Sequence, residues 1–443
     1  MQPPTSVNHR ARLLKALRQF TWGGDWAIAL PEQIKHNLTW FFSDGVFASA
    51  SDNIAITYLT LFILALGATR TQIGLMSSFS SLVAALMLLP GALLVERFGH
   101  RKEITLFAGG GASRLALLIF AFLPLLLKGE ILVWAAIALS VTRDAFGNLS
   151  FPAWMSITAD VVPLEGRGRY FGARNFVMGI TGMAAILLVG EIITRAGQPL
   201  GYQLALGLAF IIGMASTLSF SRLKEPPANE AVQEGQRFSL RLVLADVKNH
   251  PAFVALTLVM MVWNFALNIS GPFFGVFMVQ NLKFTATMVG IASIVTTVTS
   301  LMIQRRTGKL ADNWGPRKVE LVCLLIIPIF PLAWVFVTQF WHVVVINIFS
   351  GIVWGMFNLV SFNFLLTLIP PTQRARYSAL YQILITLSLA GGAAVGAWVV
   401  NVWGFHGVFI TSAIGRAIGA ILFLRFVPEI LPKRPAIDTT VTD

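Results

Sequence analysis

Apolar residues in this chain run in long blocks, closed by charged residues or by glycine and proline. Twelve such blocks cover residues 42–66, 73–95, 104–127, 131–157, 173–195, 200–221, 252–279, 286–304, 318–339, 341–367, 377–401 and 405–427. A helix needs roughly 20 mostly apolar residues to cross a bilayer. In lipid the backbone must satisfy its own hydrogen bonds, so blocks of this length predict helices. The strands of a membrane barrel would be shorter and would alternate. The pattern predicts an all-α integral membrane protein with twelve transmembrane helices.

Composition agrees with that picture. Of the 443 residues, 56% are hydrophobic and only 12% are charged. Globular domains carry about 25% charged residues. A soluble domain, a disordered chain and a disulfide scaffold are therefore excluded. The single cysteine, Cys323, has no partner for a bridge and lies in an apolar block, where it reads as a small core hydrophobe.

The net charge of +13 raises the question of nucleic acid. Its location answers that question. If the N-terminus is cytoplasmic, 26 lysines and arginines fall on the inner side and four on the outer. The excess is a topology signal that places both termini in the cytoplasm of a cell (plasma or inner) membrane protein. No nucleic-acid partner is expected, and the lipid bilayer is the expected surroundings. The layout is an N-terminal tail (1–41), a six-helix half (42–221), a cytoplasmic linker (222–251), a second six-helix half (252–427) and a C-terminal tail (428–443). The linker has room for a short surface helix at 238–248. Residues 1–40 lack the apolar core and small-residue site of a cleaved signal. Residues 11–22 place Leu13, Leu14, Leu17 and Phe20 at helical spacing among basic residues. They read either as a surface amphipathic helix or as a frayed polar tail.

The two halves repeat. ATRTQIGLMSS from Ala68 aligns with FTATMVGIASI from Phe284, and ERFGHRK (Glu96 to Lys102) with DNWGPRK (Asp312 to Lys318). FGNLSF from Phe146 aligns with FNLVSF from Phe357, and PLEGRGRY from Pro163 with PPTQRARY from Pro370. Four matches in the same order mark a duplicated half. Duplicated halves with a site at their interface are a recurring transporter plan.

The loop GKLADNWGPRK (Gly308 to Lys318) resembles the signature of the major facilitator superfamily, and GALLVERFGHRK (Gly91 to Lys102) is a looser copy. In the looser copy Glu96 replaces aspartate, Ala92 stands at the first glycine position and His100 interrupts the basic run. In the other, Asn313 and Pro316 replace basic positions. The resemblance covers the chain after about residue 41. It implies two pseudo-symmetric six-helix bundles and transport by alternating access. Gly99 and Gly315 permit tight turns, and an acid at a helix end can cap the positive start of another helix. By resemblance, Glu96 faces the start of helix 11 and Asp312 the start of helix 5. Arg169 and Arg376 stand beside those starts at matched positions. The implied gating set is Glu96, Arg97, Gly99, Arg101, Gly308, Asp312, Gly315, Arg317, Arg169 and Arg376. The plainer alternative is a solvated, positive-inside loop.

Ionisable groups inside the membrane are costly and are functional candidates by default. In helix 4, Ser140, Arg143, Asp144, Gly147 and Asn148 share one face by their spacing. Arg143 to Gly147 partly matches a motif of the same family, with Phe146 in place of its glutamine. Arg143 keeps its charge and suits an anionic group or a nearby acid. Helix 1 offers Asp52 and Asn53 near its middle and Asp44 near its cytoplasmic end. Helix 7 offers Trp263, Asn264 and Asn268, and helix 10 offers Trp354, Asn358 and Asn363. Helices 1, 4, 7 and 10 line the central cavity in the resembling family, so these residues are the candidate pathway. The expected ion pair is Arg143 with Asp52. Asp144 is the poorer partner because adjacent helical residues point about 100° apart. A protonatable aspartate beside a permanent cation is the minimum for proton coupling. Glu191 is placed at the outer mouth. Arg114 and Arg416 are expected to pack or to snorkel from peripheral helices.

No metal-ligand cluster, phosphate-binding GxxxxGK[ST] loop or catalytic constellation occurs, so no cofactor, no metal and no enzymatic activity are expected. The leading expectation is a monomeric secondary transporter of a small organic solute, with protons as the candidate coupling ion. The competing expectation is a receptor or assembly factor that keeps the fold without transport.

Overall fold

The structure is a computed structural model and describes residues 21–225, 246–369 and 374–429. The side chains of residues 305 and 374–376 lie outside that description, as do most of the predicted surface helix at 11–22, nearly all of the linker and nearly all of the C-terminal tail. The described residues are mostly helical, with no strand among them. The twelve predicted spans fall mainly on helix, with breaks at 271–272 and 327–328 and residues 335–339 outside it. We number these α1 (Glu32–Ala65), α2 (Arg70–Phe98), α3 (Arg101–Leu126), α4 (Gly129–Val161), α5 (Arg167–Ala196), α6 (Leu200–Ser221), α7 (Pro251–Gln280), α8 (Ala286–Trp314), α9 (Pro316–Ile326 and Ile329–Trp334), α10 (Phe340–Leu368), α11 (374–403) and α12 (405–426).

Nine stretches among the described residues are long and apolar enough to cross a membrane, with α11 and α12 forming one of the nine. Two predicted spans are not among them. α4 has the length, 33 residues, but its polar face dilutes its apolar character. α9 is split at Ile327 and Pro328 into pieces of 11 and 6 residues.

Local chemistry explains the boundaries. Thr69 and Gln72 form a capping box at the start of α2, each side chain meeting the other's backbone N–H. Pro251 and Pro316 open α7 and α9, where a missing N–H costs nothing. α7 breaks at Gly271 and Pro272, because proline cannot continue the hydrogen-bond ladder. α3 loosens into a π-helical turn over Thr105–Ala112, at the run Gly109–Gly111. α11 and α12 part at Gly404, whose φ of 66° favours glycine.

The described residues form two compact units. The first reaches residue 225 and also takes in Pro272–Ile294. The second holds 246–271 and everything from Val295 onward. In the first, α1 packs on α5 and α6, α2 on α4, and α3 on α4 and α6. A Cβ on Gly91 would lie 2.4 Å from the Leu149 carbonyl oxygen, so α2 and α4 meet backbone to backbone there. Phe41, Tyr170, Phe220 and Trp154 build an aromatic cluster at one end of this unit, with Trp22 and Trp26 packed on it. In the second unit α7 packs on α11 and α12, and α9 on α10. Its core gathers Phe253, Trp263, Phe364, Tyr377 and Phe423.

Candidate functional site

The charges within the first unit pair differently from the sequence expectation. Asp52 meets Arg114 of α3, not Arg143: Arg114 Nη1 lies 2.8 Å from Asp52 Oδ1 and donates to Ser51 Oγ at 2.6 Å. Ser51 in turn donates to the Ala209 carbonyl of α6 at 2.7 Å. Arg114 is therefore a partly buried partner inside the bundle and not a snorkelling residue. The Asp52 side chain keeps 44% of its exposure.

Arg143 is paired with its chain neighbour Asp144, Nη1 to Oδ1 at 3.3 Å. The expected disadvantage of adjacent residues is overcome by the length of the arginine stem. Arg143 Nε remains buried without a hydrogen-bond partner. Buried donors of this kind are rare and call for an explanation. Asn148 and Asn53 are turned back on their own helices, donating to the Asp144 and Ser49 carbonyls at 2.8 Å. Ser140 is buried.

Asp44, deeper in the same unit, is buried between Arg174 (3.5 Å) and Ser216, whose hydroxyl donates to it at 2.7 Å. Arg174 also donates to the Phe41 carbonyl and lies over the Phe41 ring at 4.2 Å. This group cross-links α1, α5 and α6. Glu191, as expected near the end of α5, accepts from Arg195 at 2.7 Å and from Thr287 at 3.3 Å.

In the second unit Trp263 is 1% exposed, with ring centroids 5.7 Å from Trp354 and 5.0 Å from Phe357. It is a core residue here, with its indole N–H unpartnered. Asn264 donates back to the Met260 carbonyl at 2.8 Å, and Asn268 crosses to the Leu389 carbonyl of α11 at 2.8 Å. Asn358 and Asn363 are exposed on α10. Arg416 is the larger surprise. It is 2% exposed and donates to Ser412 Oγ, Ser270 Oγ and the Leu267 carbonyl. Ser412 donates to the Ala266 carbonyl. These carbonyls belong to the last turn of α7 before its break, where the negative end of the helix dipole faces a buried cation. Arg416 is a cap for a broken helix, not a peripheral snorkel.

The two signature loops behave as repeat mates. Gly99 and Gly315 hold φ of 66° and 84° at their turns. Arg101 is buried against Asp160 of α4, Ser156 (3.0 Å) and Glu225 just beyond α6 (3.1 Å). Its mate Arg317 donates to the Val427 and Leu424 carbonyls at the end of α12, at 2.8 and 3.2 Å. Beside it Lys318 meets Glu429 at 3.1 Å. Arg101 thus ties its loop to α4 and to the residues just beyond α6, and Arg317 ties its own to the end of α12. Glu96, Arg97, Arg169 and Asp312 are exposed and Gly308 is partly so. The Arg376 side chain lies outside the described residues.

Sequence reasoning missed Arg114, Arg174, Arg416 and Glu320 as interior polar anchors. For Arg114 and Arg416 the available signal was their depth, since a charge in the middle of an apolar block has to find a partner; Arg174 and Glu320 lie at the edges of their blocks and gave no such signal.

A fold of this kind, with charges buried inside apolar helices, is that of a multi-pass membrane transporter. The family model of the Major Facilitator Superfamily matches residues 44–305 and 264–440, and the chain belongs to that family. It is 24% identical over 412 residues to Multidrug resistance protein MdtG of Citrobacter koseri, covering 89% of this chain and 94% of that one. It is 23% identical over 295 residues to the uncharacterized MFS-type transporter YuxJ of Bacillus subtilis, covering 63% and 70%. Among solved structures, the nucleoside transporter NupG matches with a TM-score of 0.70 at 13% identity, over 89% of this chain and 100% of that one. The D-xylose-proton symporter matches with a TM-score of 0.63 at 16% identity, over 89% and 97%. The chain is a secondary transporter and not an enzyme, and a non-transporting receptor or assembly factor is not favoured.

Proposed function

We propose that this transporter moves a small amphipathic organic solute across the cell (inner) membrane by alternating access, coupled to protons. The reading rests on one observation: α1 presents a half-exposed Asp52 held by a partly buried Arg114, while Arg143 on α4 keeps a buried donor unfilled. A proton on Asp52 would cancel its attraction for Arg114, so the two charge states of the aspartate favour different arrangements of α1 and α3. Arg143 would take a polar or anionic group of the solute. Asn53, Asp144, Asn148, Asn264, Asn268, Trp354, Asn358 and Asn363 complete the proposed pathway, with Trp263 entering it only if its cluster opens. A relative named as a multidrug resistance protein supports an organic cargo.

The proposed topology has twelve crossings in two six-helix halves, with both termini cytoplasmic by the positive-inside rule. The gating set of Glu96, Asp312, Arg169, Arg376 and their loop neighbours controls the cytoplasmic side. The protein works as a monomer without metal, cofactor or nucleic acid. Purified protein in proteoliposomes, tested with an imposed pH gradient against a panel of organic solutes, decides the matter. Gradient-driven flux that is lost in Asp52→Asn supports the reading. Full gradient-driven flux in that variant overturns the role of Asp52.

A further inference from the structure

Glu320 lies in the second turn of α9 and is fully buried. Neither of its carboxylate oxygens has a hydrogen-bond partner, although the Ser361 side chain of α10 is close enough to act on it. The titratable groups near it are neutral ones: Cys323, one turn further along α9, and Tyr381 on α11. Tyr377, also on α11, has its hydroxyl donated to Asp246 at 2.8 Å. The cations of α9 are occupied elsewhere, Arg317 by the carbonyls ending α12 and Lys318 by Glu429. Arg425 of α12 is exposed. Among the described residues, then, no cation compensates this carboxylate. Its surroundings belong to the apolar core that holds Val319, Cys323 and Leu324.

An ionised carboxylate buried without a cation or hydrogen-bond donors is too costly to persist, and such a group neutralises instead. A neutral acid also needs only one donor satisfied, which the Ser361 oxygen or a small local shift supplies. We propose that Glu320 is a proton-binding site of the second unit, loaded in this conformation and separate from Asp52. The proton sits on one carboxyl oxygen. It leaves only when the α9–α10–α11 packing loosens enough to admit water. The claim concerns proton binding alone, so it stands or falls independently of solute transport.

Infrared spectroscopy of the protein in lipid bilayers at neutral pH tests it. The expected result is a C=O band of a protonated carboxylic acid that disappears in Glu320→Gln. Identical bands in the two proteins overturn the proposal. If Glu320→Gln does not fold, wild-type protein grown with glutamate carrying heavy carbon at the carboxyl answers the same question: the acid band must move, and an unmoved band overturns the proposal. Melting temperature against pH gives a second reading. A group neutral in the fold and ionised in the unfolded chain removes stability as pH rises. Wild type is therefore expected to lose more melting temperature between acid and alkaline pH than Glu320→Gln. Parallel curves overturn it.

Discussion

Asp52 on α1 and Arg114 on α3 form a 2.8 Å ion pair, and Arg114 simultaneously holds Ser51, which is bonded to the α6 backbone. One guanidinium thus fixes three helices around the acid proposed to carry the proton. Arg114→Gln is expected to destabilise the protein by about 1–3 kcal/mol, less than the roughly 3–5 for breaking a fully buried pair, because Asp52 is partly solvated. Asp52→Asn combined with Arg114→Gln should recover most of that loss. Thermal unfolding in detergent of the two single variants and the double variant measures it, and an additive double variant would disprove the coupling.

Arg416 offers a cleaner stability test. It is buried and meets the end of α7 through the Leu267 carbonyl and the Ser270 hydroxyl, with a third bond to Ser412 on its own helix. Arg416→Met removes the charged donor from the Leu267 carbonyl and the Ser270 hydroxyl, which keep only the Gly271 N–H and the Ser412 hydroxyl as partners, at about 1–3 kcal/mol. Arg416→Lys is not a rescue, since one ammonium cannot reproduce the planar fork. Melting temperatures of both variants should fall below wild type.

The contact between α7 and α11 sets a steric limit. A Cβ on Gly392 would stand 2.1 Å from the Phe265 carbonyl oxygen, whereas one on Gly207 would meet nothing within 4 Å. Gly392→Ala should cost about 1–3 kcal/mol by overpacking. Gly207→Ala should be close to neutral. Expression yield and melting temperature compared side by side check the pair.

Asp312 is exposed in the last turn of α8, within the second signature, so its removal should leave folding untouched. Asp312→Asn is expected to insert and melt like wild type while its solute flux falls several-fold. Unchanged flux in correctly folded protein would remove it from the gating set.

Much of the fold was legible in the sequence because lipid imposes a simple rule: each apolar block must be helical, and the predicted spans fall mainly on helix among the described residues, broken at 271–272 and 327–328. The repeat read from the sequence pairs Arg101 with Arg317 and Tyr170 with Tyr377. The structure gives the matched residues comparable jobs: Tyr170 donates to the Leu38 carbonyl and Tyr377 to Asp246. Partners were less legible. Spacing reports which residues share a helix face, but not how each helix is turned toward its neighbours or how far a long side chain reaches. That is why Arg143 was matched to Asp52, and why Arg114 and Arg416 were placed at the periphery. Glu320 was hidden by its position three residues after Arg317, where it reads as part of a charged loop. Trp263 was placed on the pathway because an aromatic residue on α7 looks the same in sequence whether it lines a cavity or fills a core.

The membership of Pro272–Ile294 in the first unit has a consequence for assembly. A ribosome finishes α1 to α6 long before it makes the segment that completes that unit. The first half therefore waits, unfinished, for part of its sibling. A chain severed between residues 225 and 246 should behave accordingly: either fragment made alone is degraded, and the two made together restore a protein that purifies as one species.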